Sequence, residues 1–148
     1  MTKCRDVMTP DPVTCEPGEP IRRAAEIMKG ADVGAVPVVE SRTSMRLVGI
    51  VTDRDIVLKV LAEGRPVETA VVRDAMTGSP AYCREDEDIS HAVGYMAERQ
   101  VRRMPIVDTE GRLRGIISQA DVATRVNRDK TTGEMVEAIS ERGAGRGD

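Results

Sequence analysis

Arg5-Asp6-Val7-Met8-Thr9 returns, 68 positions further on, as Arg73-Asp74-Ala75-Met76-Thr77. Pro12 and Cys15 return at the same spacing as Pro80 and Cys83, and Ile21, Ala24 and Met28 as Ile89, Ala92 and Met96. Val33-Gly34-Ala35-Val36-Pro37-Val38-Val39 is matched by Val101-Arg102-Arg103-Met104-Pro105-Ile106-Val107. Gly49-Ile50-Val51-Thr52-Asp53-Arg54-Asp55-Ile56 is matched by Gly115-Ile116-Ile117-Ser118-Gln119-Ala120-Asp121-Val122, now at a spacing of 66. The first copy therefore carries two additional residues between Val39 and Gly49. One supersecondary unit is used twice.

The chain has 148 residues, 40% of them apolar, which suffices for one packed domain or two small halves. With two Tyr, no Phe and no Trp, the core must be built from Val, Ile, Leu, Met and Ala. At roughly 65 residues a copy is marginal alone, so the halves are expected to fold against each other. A net charge of −3 and the scarcity of aromatics argue against a dedicated nucleic-acid binder. No apolar run reaches membrane-spanning length and no signal peptide is visible, so the expected compartment is the cytoplasm. Cys4, Cys15 and Cys83 form no CxxC pair, which suits reduced thiols, and a single His leaves no familiar metal site.

Each copy reads as strand, helix, strand, strand, helix, an α+β pattern. Val13-Thr14-Cys15 is a short extended piece. Pro20 suits the first turn of a helix, with Ile21, Ala24, Ala25 and Met28 as its apolar stripe and Gly30 as its stop. Ala35 to Val39 and Leu47 to Val51 are strands joined by a polar turn. Thr52 opens a second helix whose stripe is Ile56, Val57, Val60 and Leu61, closed by Gly64. In the second copy the helices run from Ile89 to Arg99, with Ile89, Ala92, Val93 and Met96 inward, and from Asp121 to Asn127. The expected division is 1–66, 67–127 and a C-terminal extension, 128–148. That extension holds an amphipathic stretch with Met135, Val136 and Ile139 on one face. Its Gly-rich charged end, from Glu141, is expected to be disordered.

Thr52 with Asp55, and Ser118 with Asp121, are the residues with chemical promise. Each pair sits where a strand runs into a helix, whose free N–H groups and dipole favour a phosphate. The hydroxyl adds a hydrogen bond, and the Asp accepts both hydroxyls of a ribose. Gly49 and Gly115 would let a ligand approach the strand backbone. The same spacing also serves as a capping box, in which the two side chains satisfy only the helix end.

Taken together, Asp6-Val7-Met8-Thr9, Val36-Pro37-Val38-Val39 and Gly49 to Asp55, with their second copies, resemble the CBS (cystathionine-β-synthase) domain. The chain is similar to a tandem CBS pair over residues 4 to 127, of the stand-alone bacterial type seen in hypoxic response proteins. The resemblance implies two β-α-β-β-α repeats about a pseudo-twofold axis, with two clefts that bind AMP, ADP, ATP or S-adenosylmethionine. It places ribose on Asp55 and Asp121, phosphate on Thr52 and Ser118, and adenine against Ala35-Val36 and Arg103-Met104. It also implies a homodimer and a regulatory role, while the residue inventory offers no catalytic residues and no metal site. A ligand-free interaction scaffold is the alternative. An enzyme has little in its favour, because one His and scattered Cys assemble no nucleophile–base pair.

The copies differ where it matters. Gly34-Ala35 becomes Arg102-Arg103, and Asp53-Arg54 becomes Gln119-Ala120. Guanidinium groups suit phosphate, so unequal affinity is expected, unless both arginines are simply solvated. His91 is expected on the surface. Cys15, Cys83 and the repeat-matched methionines are expected to fill the core.

Overall fold

The computed structural model describes residues 2–128. The amphipathic stretch at Met135 to Ile139 and the tail from Glu141 lie outside these residues. The chain divides into two compact units. The first-copy unit holds Pro12–Pro80 with Glu110–Leu113, and the second-copy unit holds 2–11, Ala81–Thr109 and 114–128. The opening segment of each copy is thus docked in the unit built by the other copy.

The first-copy unit is a three-stranded sheet with helices. Strand β2 (Ala35–Val39) pairs antiparallel with β3 (Leu47–Thr52), with Val36 opposite Val51 and a register shift at Val38/Val39. Helix α2 (Ile21–Ala31) follows Pro20 and ends at Asp32, whose φ of 55° turns the chain. The helix passes through Gly30, which is not the stop. Its buried face is Ile21, Ala24, Ile27 and Met28, while Ala25 is exposed. Ile27 thus takes the place expected for Ala25, because the face that meets the sheet is rotated one position around the helix. These residues pack with Cys15, Val36, Val38, Val51, Val60, Val72 and Ala75 into one apolar cluster.

Thr52 caps α3 (Asp53–Ile56), which continues as a π-helical turn, Val57–Leu61. Ala62 N–H reaches Val57 O at 2.8 Å and Arg65 N–H reaches Val60 O at 3.0 Å, both five residues apart. The wider winding breaks the stripe expected from 3.6 residues per turn. Val60 is buried, whereas Val57 is 50% and Leu61 67% exposed, with Leu58 beside them at 46%.

The second-copy unit repeats the plan around helix α5 (Ile89–Arg99), opened by Asp88, whose side chain accepts from Ser90 N–H at 2.8 Å. Its four-stranded sheet has the order β1 (Thr9–Pro10), β7 (Leu113–Ser118), β6 (Arg103–Val107), β5 (Cys83–Arg84). Helix α6 (Gln119–Arg128) follows β7 directly. Ile89, Ala92, Met96, Met104, Ile106, Ile117 and Val122 form the core with Cys4, Val7 and Cys83. Val93 is only partly buried.

The two docked segments use matched hydrogen bonds. In the second-copy unit, Cys4 and Arg5, on α1 (Cys4–Val7), donate backbone N–H groups to Glu87 O at 2.9 Å and Glu85 O at 3.0 Å. In the first-copy unit, Val72 and Arg73, on α4 (Val72–Ala75), donate to Glu19 O at 2.8 Å and Pro17 O at 2.9 Å. Strand β1 then pairs with β7, and β4 (Thr77–Gly78) with β3.

Gly49 and Gly115 make those pairings fit. A Cβ on Gly49 would lie 2.9 Å from Thr77 O, and one on Gly115 2.6 Å from Met8 Sδ and 2.8 Å from Thr9 O. The close backbone approach expected of a ligand is made here by the docked segments.

Candidate functional site

The expected site residues fall into one set per unit. The first-copy unit holds Ala35, Val36, Thr52 and Asp55; the second-copy unit holds Arg102, Arg103, Met104, Ser118 and Asp121. Within the first set, β-sheet register sets Ala35 opposite Thr52. Val36 and Met104 are buried in the cores of their units, Ala35 and Arg103 are partly exposed, and Arg102 is exposed.

Thr52 and Asp55 form a capping box. Thr52 N–H donates to Asp55 Oδ2 at 3.0 Å, and Asp55 N–H donates to Thr52 Oγ1 at 3.0 Å. Two further N–H groups of this helix start are also bonded: Asp53 N–H to Gly34 O at 3.0 Å, and Arg54 N–H to Asp53 Oδ1 at 2.8 Å. The first-copy helix start is therefore closed by its own chain and carries two carboxylates. A phosphate there would meet two negative charges and bonded donors.

The second-copy helix start keeps two of these bonds and changes the charge. Asp121 N–H donates to Ser118 Oγ at 3.0 Å and Gln119 N–H to Arg102 O at 3.0 Å, so the framework is kept. Gln119 replaces Asp53, which removes one carboxylate and the side chain that bonds the next N–H. Arg103 lies half-buried at the start of β6. This unit presents the more anion-friendly end.

Each carboxylate is also tied to the docked segment of its unit, a feature the motifs do not announce. Asp121 Oδ2 accepts the Thr9 hydroxyl at 3.3 Å. Asp55 Oδ1 lies 3.3 Å from the Lys59 ammonium, and Lys59 Nζ in turn donates to Ala75 O at 3.2 Å. The Asp55-to-Lys59 spacing, one helical turn, is the local signal for the second tie. The first is a non-local contact with no local pattern behind it.

The remaining reactive groups are quiet. The three cysteines are free and buried. Burial pushes the Cys4 and Cys83 thiols up to about 12 and Cys15 to about 11, with nearby Glu87 and Glu19 respectively adding to the effect. Thiolate chemistry is suppressed at all of them. His91 is exposed, 3.5 Å from Glu87 Oε1. Among the described residues no group of three or more His, Cys, Asp or Glu is placed to hold a metal ion, and no helix is long and apolar enough to cross a membrane.

A family model of the CBS domain matches residues 4–62 and again 72–128. The chain is 38% identical over 141 residues to YlbB of Bacillus subtilis, covering 95% of this chain and 93% of YlbB. It is 37% identical over 123 residues to hypoxic response protein 1 of Mycobacterium tuberculosis, covering 83% and 84% of the two chains. Among solved structures, CBSX2 of Arabidopsis thaliana in complex with AMP matches with a TM-score of 0.74 at 27% identity, covering 88% of this chain and 99% of that one.

Proposed function

This chain belongs to the CBS-domain family as a tandem pair, and we propose that it is a regulatory module that binds an adenosine nucleotide. AMP, ADP, ATP and S-adenosylmethionine are the candidate ligands. Asp121 and Asp55 take the ribose hydroxyls, Ser118 and Thr52 the phosphate, and Arg103-Met104 and Ala35-Val36 the adenine. The observation that carries this reading is the doubled strand–hydroxyl–helix–Asp construction in a chain similar to CBSX2, whose crystal holds AMP.

The capping bonds do not exclude a ribose. An ionised carboxylate has about four lone-pair sites, and the interactions at Asp55 and Asp121 use only some of them. The second-copy set is the tighter one for a phosphate-bearing ligand, because Arg102 and Arg103 add positive charge where the first copy has Gly34 and Ala35. Binding shifts the protein between conformations only by the ligand's difference in affinity for them. The chain acts as a cytoplasmic homodimer without catalysis of its own, and the exposed Val57, Leu58 and Leu61 supply the apolar contact between copies.

A second reading is an interaction scaffold with no ligand. It draws on the same exposed apolar residues and on the self-satisfied Thr52–Asp55 pair. Thermal melting with each candidate ligand separates the two. A ligand at 100 times its Kd stabilises the folded state by about 2.7 kcal/mol. Stabilisation by at least one compound, lost in Asp121→Asn, supports sensing; no shift with any of them supports the scaffold.

A further inference from the structure

We propose that Lys59 couples the ribose-binding carboxylate of the first-copy unit to the docked segment Val72–Gly78, so that ligand occupancy loosens that segment. This inference rests on the ligand reading above and adds how occupancy would be transmitted. Lys59 Nζ bridges two acceptors, Asp55 Oδ1 at 3.3 Å and Ala75 O at 3.2 Å. Ala75 is the last residue of α4, and the next two residues lead into the short pairing of Thr77 with Ile50 and Gly78 with Gly49.

Val72 and Ala75 anchor this segment in the apolar cluster, and beyond that burial and the backbone bonds its side-chain ties are few. Arg65 Nη1 lies 3.5 Å from Asp74 Oδ1, and Asp74 Oδ2 caps the segment by accepting Val71 N–H at 2.9 Å. Both act at the start of α4. Lys59 Nζ adds a polar tie at its last residue, Ala75. The chain passes from this unit into the second-copy unit directly afterwards, at Ala81.

A ribose hydroxyl donating to Asp55 Oδ1 competes for the oxygen that positions the Lys59 ammonium. The lysine side chain, half exposed, then loses its anchor, and its bond to Ala75 O weakens against water. The second-copy unit has the same logic without a relay. There the carboxylate of Asp121 is tied to its docked segment through the Thr9 hydroxyl itself, at 3.3 Å. In both units the residue proposed to read the ribose also holds the segment contributed by the opposite copy. Lys59 is a positioning residue in this scheme and does not touch the ligand.

The test is amide hydrogen exchange over residues 73–78 in the full chain. Without ligand, Lys59→Met and Asp55→Asn should each speed exchange there by roughly two- to five-fold, the range expected for losing a half-exposed ion pair. The double variant should add nothing further, and Lys59→Arg should restore protection. With saturating AMP, exchange over 73–78 should rise in the wild type. In Lys59→Met, AMP should still bind by calorimetry but leave exchange unchanged. An equal AMP response in Lys59→Met, or unchanged exchange in the ligand-free variants, overturns the coupling. Failure of AMP, ADP, ATP and S-adenosylmethionine to bind the wild type instead overturns the sensing reading on which the coupling depends.

Discussion

Thr52 and Asp55 bond to each other twice across the start of α3, each backbone N–H donating to the other's side chain at 3.0 Å. The pair closes the helix end with no ligand present. Thr52→Ala should therefore cost about 1 kcal/mol, the usual loss for an N-cap hydroxyl. Ser118→Ala should fall in the same range, since Ser118 Oγ accepts Asp121 N–H at 3.0 Å. Urea unfolding checks both without any ligand.

Gly49 and Gly115 are the positions where an added methyl group has nowhere to go. At Gly115 the obstructing atoms include the Thr9 carbonyl at 2.8 Å, part of the β1 backbone. Gly115→Ala should destabilise by about 1–3 kcal/mol, the range for overpacking. Adding Met8→Ala should not recover it, because the carbonyl stays and Met8 itself belongs to the core. Gly78, opposite Gly49 in the register, has open space around it, so Gly78→Ala should be close to neutral by comparison.

Much of this architecture is legible in the amino-acid order. The strands at Ala35–Val39 and Leu47–Thr52, and helix Ile89–Arg99, follow from β-branched runs and a 3.6-residue stripe. The duplicated Thr/Ser-x-x-Asp marks both helix starts. The segment docking is not legible, since it depends on non-local partners: Cys4 bonds to Glu87 and Val72 to Glu19, each across copies. The π-helical turn is hidden because the stripe Ile56, Val57, Val60, Leu61 assumes α geometry. Extra winding after Val57 moves Leu61 off the buried face that Val60 occupies.

The same exposed face carries a prediction about assembly. Val57, Leu58 and Leu61 present adjacent apolar side chains on a chain of net charge −3. Leu61→Glu combined with Leu58→Glu should shift the protein from dimer to monomer in sedimentation velocity, with an unchanged far-ultraviolet circular dichroism spectrum. A wild-type monomer at all concentrations would remove this face from the assembly.

The buried thiols should contribute to the loss of stability at alkaline pH. Their folded values, about 11 for Cys15 and about 12 for Cys4 and Cys83, lie above the ordinary 9.0. The folded state keeps these protons where the unfolded chain has lost them. Their contribution is complete below pH 9 and is lost as pH rises through 9 toward 11 and 12. The urea midpoint should fall across that window, and a triple Cys→Ala variant should show a shallower fall. At pH 8 a thiol reagent should label the native protein no faster than it unfolds.

The copies should not bind alike. Arg103→Ala should weaken the tighter of two AMP sites by roughly ten-fold or more, the order expected for losing one charge-assisted hydrogen bond to the ligand. Ala35→Arg should strengthen the weaker site. Two identical sites in the wild type would refute the asymmetry drawn from Gly34-Ala35 against Arg102-Arg103.

Calorimetric titration of AMP into the wild type and into the Asp55→Asn/Asp121→Asn double variant bears most directly on nucleotide sensing through these two carboxylates. Asn keeps the side chain's shape and one acceptor oxygen, so the helix starts should survive and the circular dichroism melt should stay cooperative. The expected result is saturable binding to the wild type and none to the folded double variant. Equal binding by both proteins, or no heat from the wild type with AMP, ADP, ATP or S-adenosylmethionine, would contradict it.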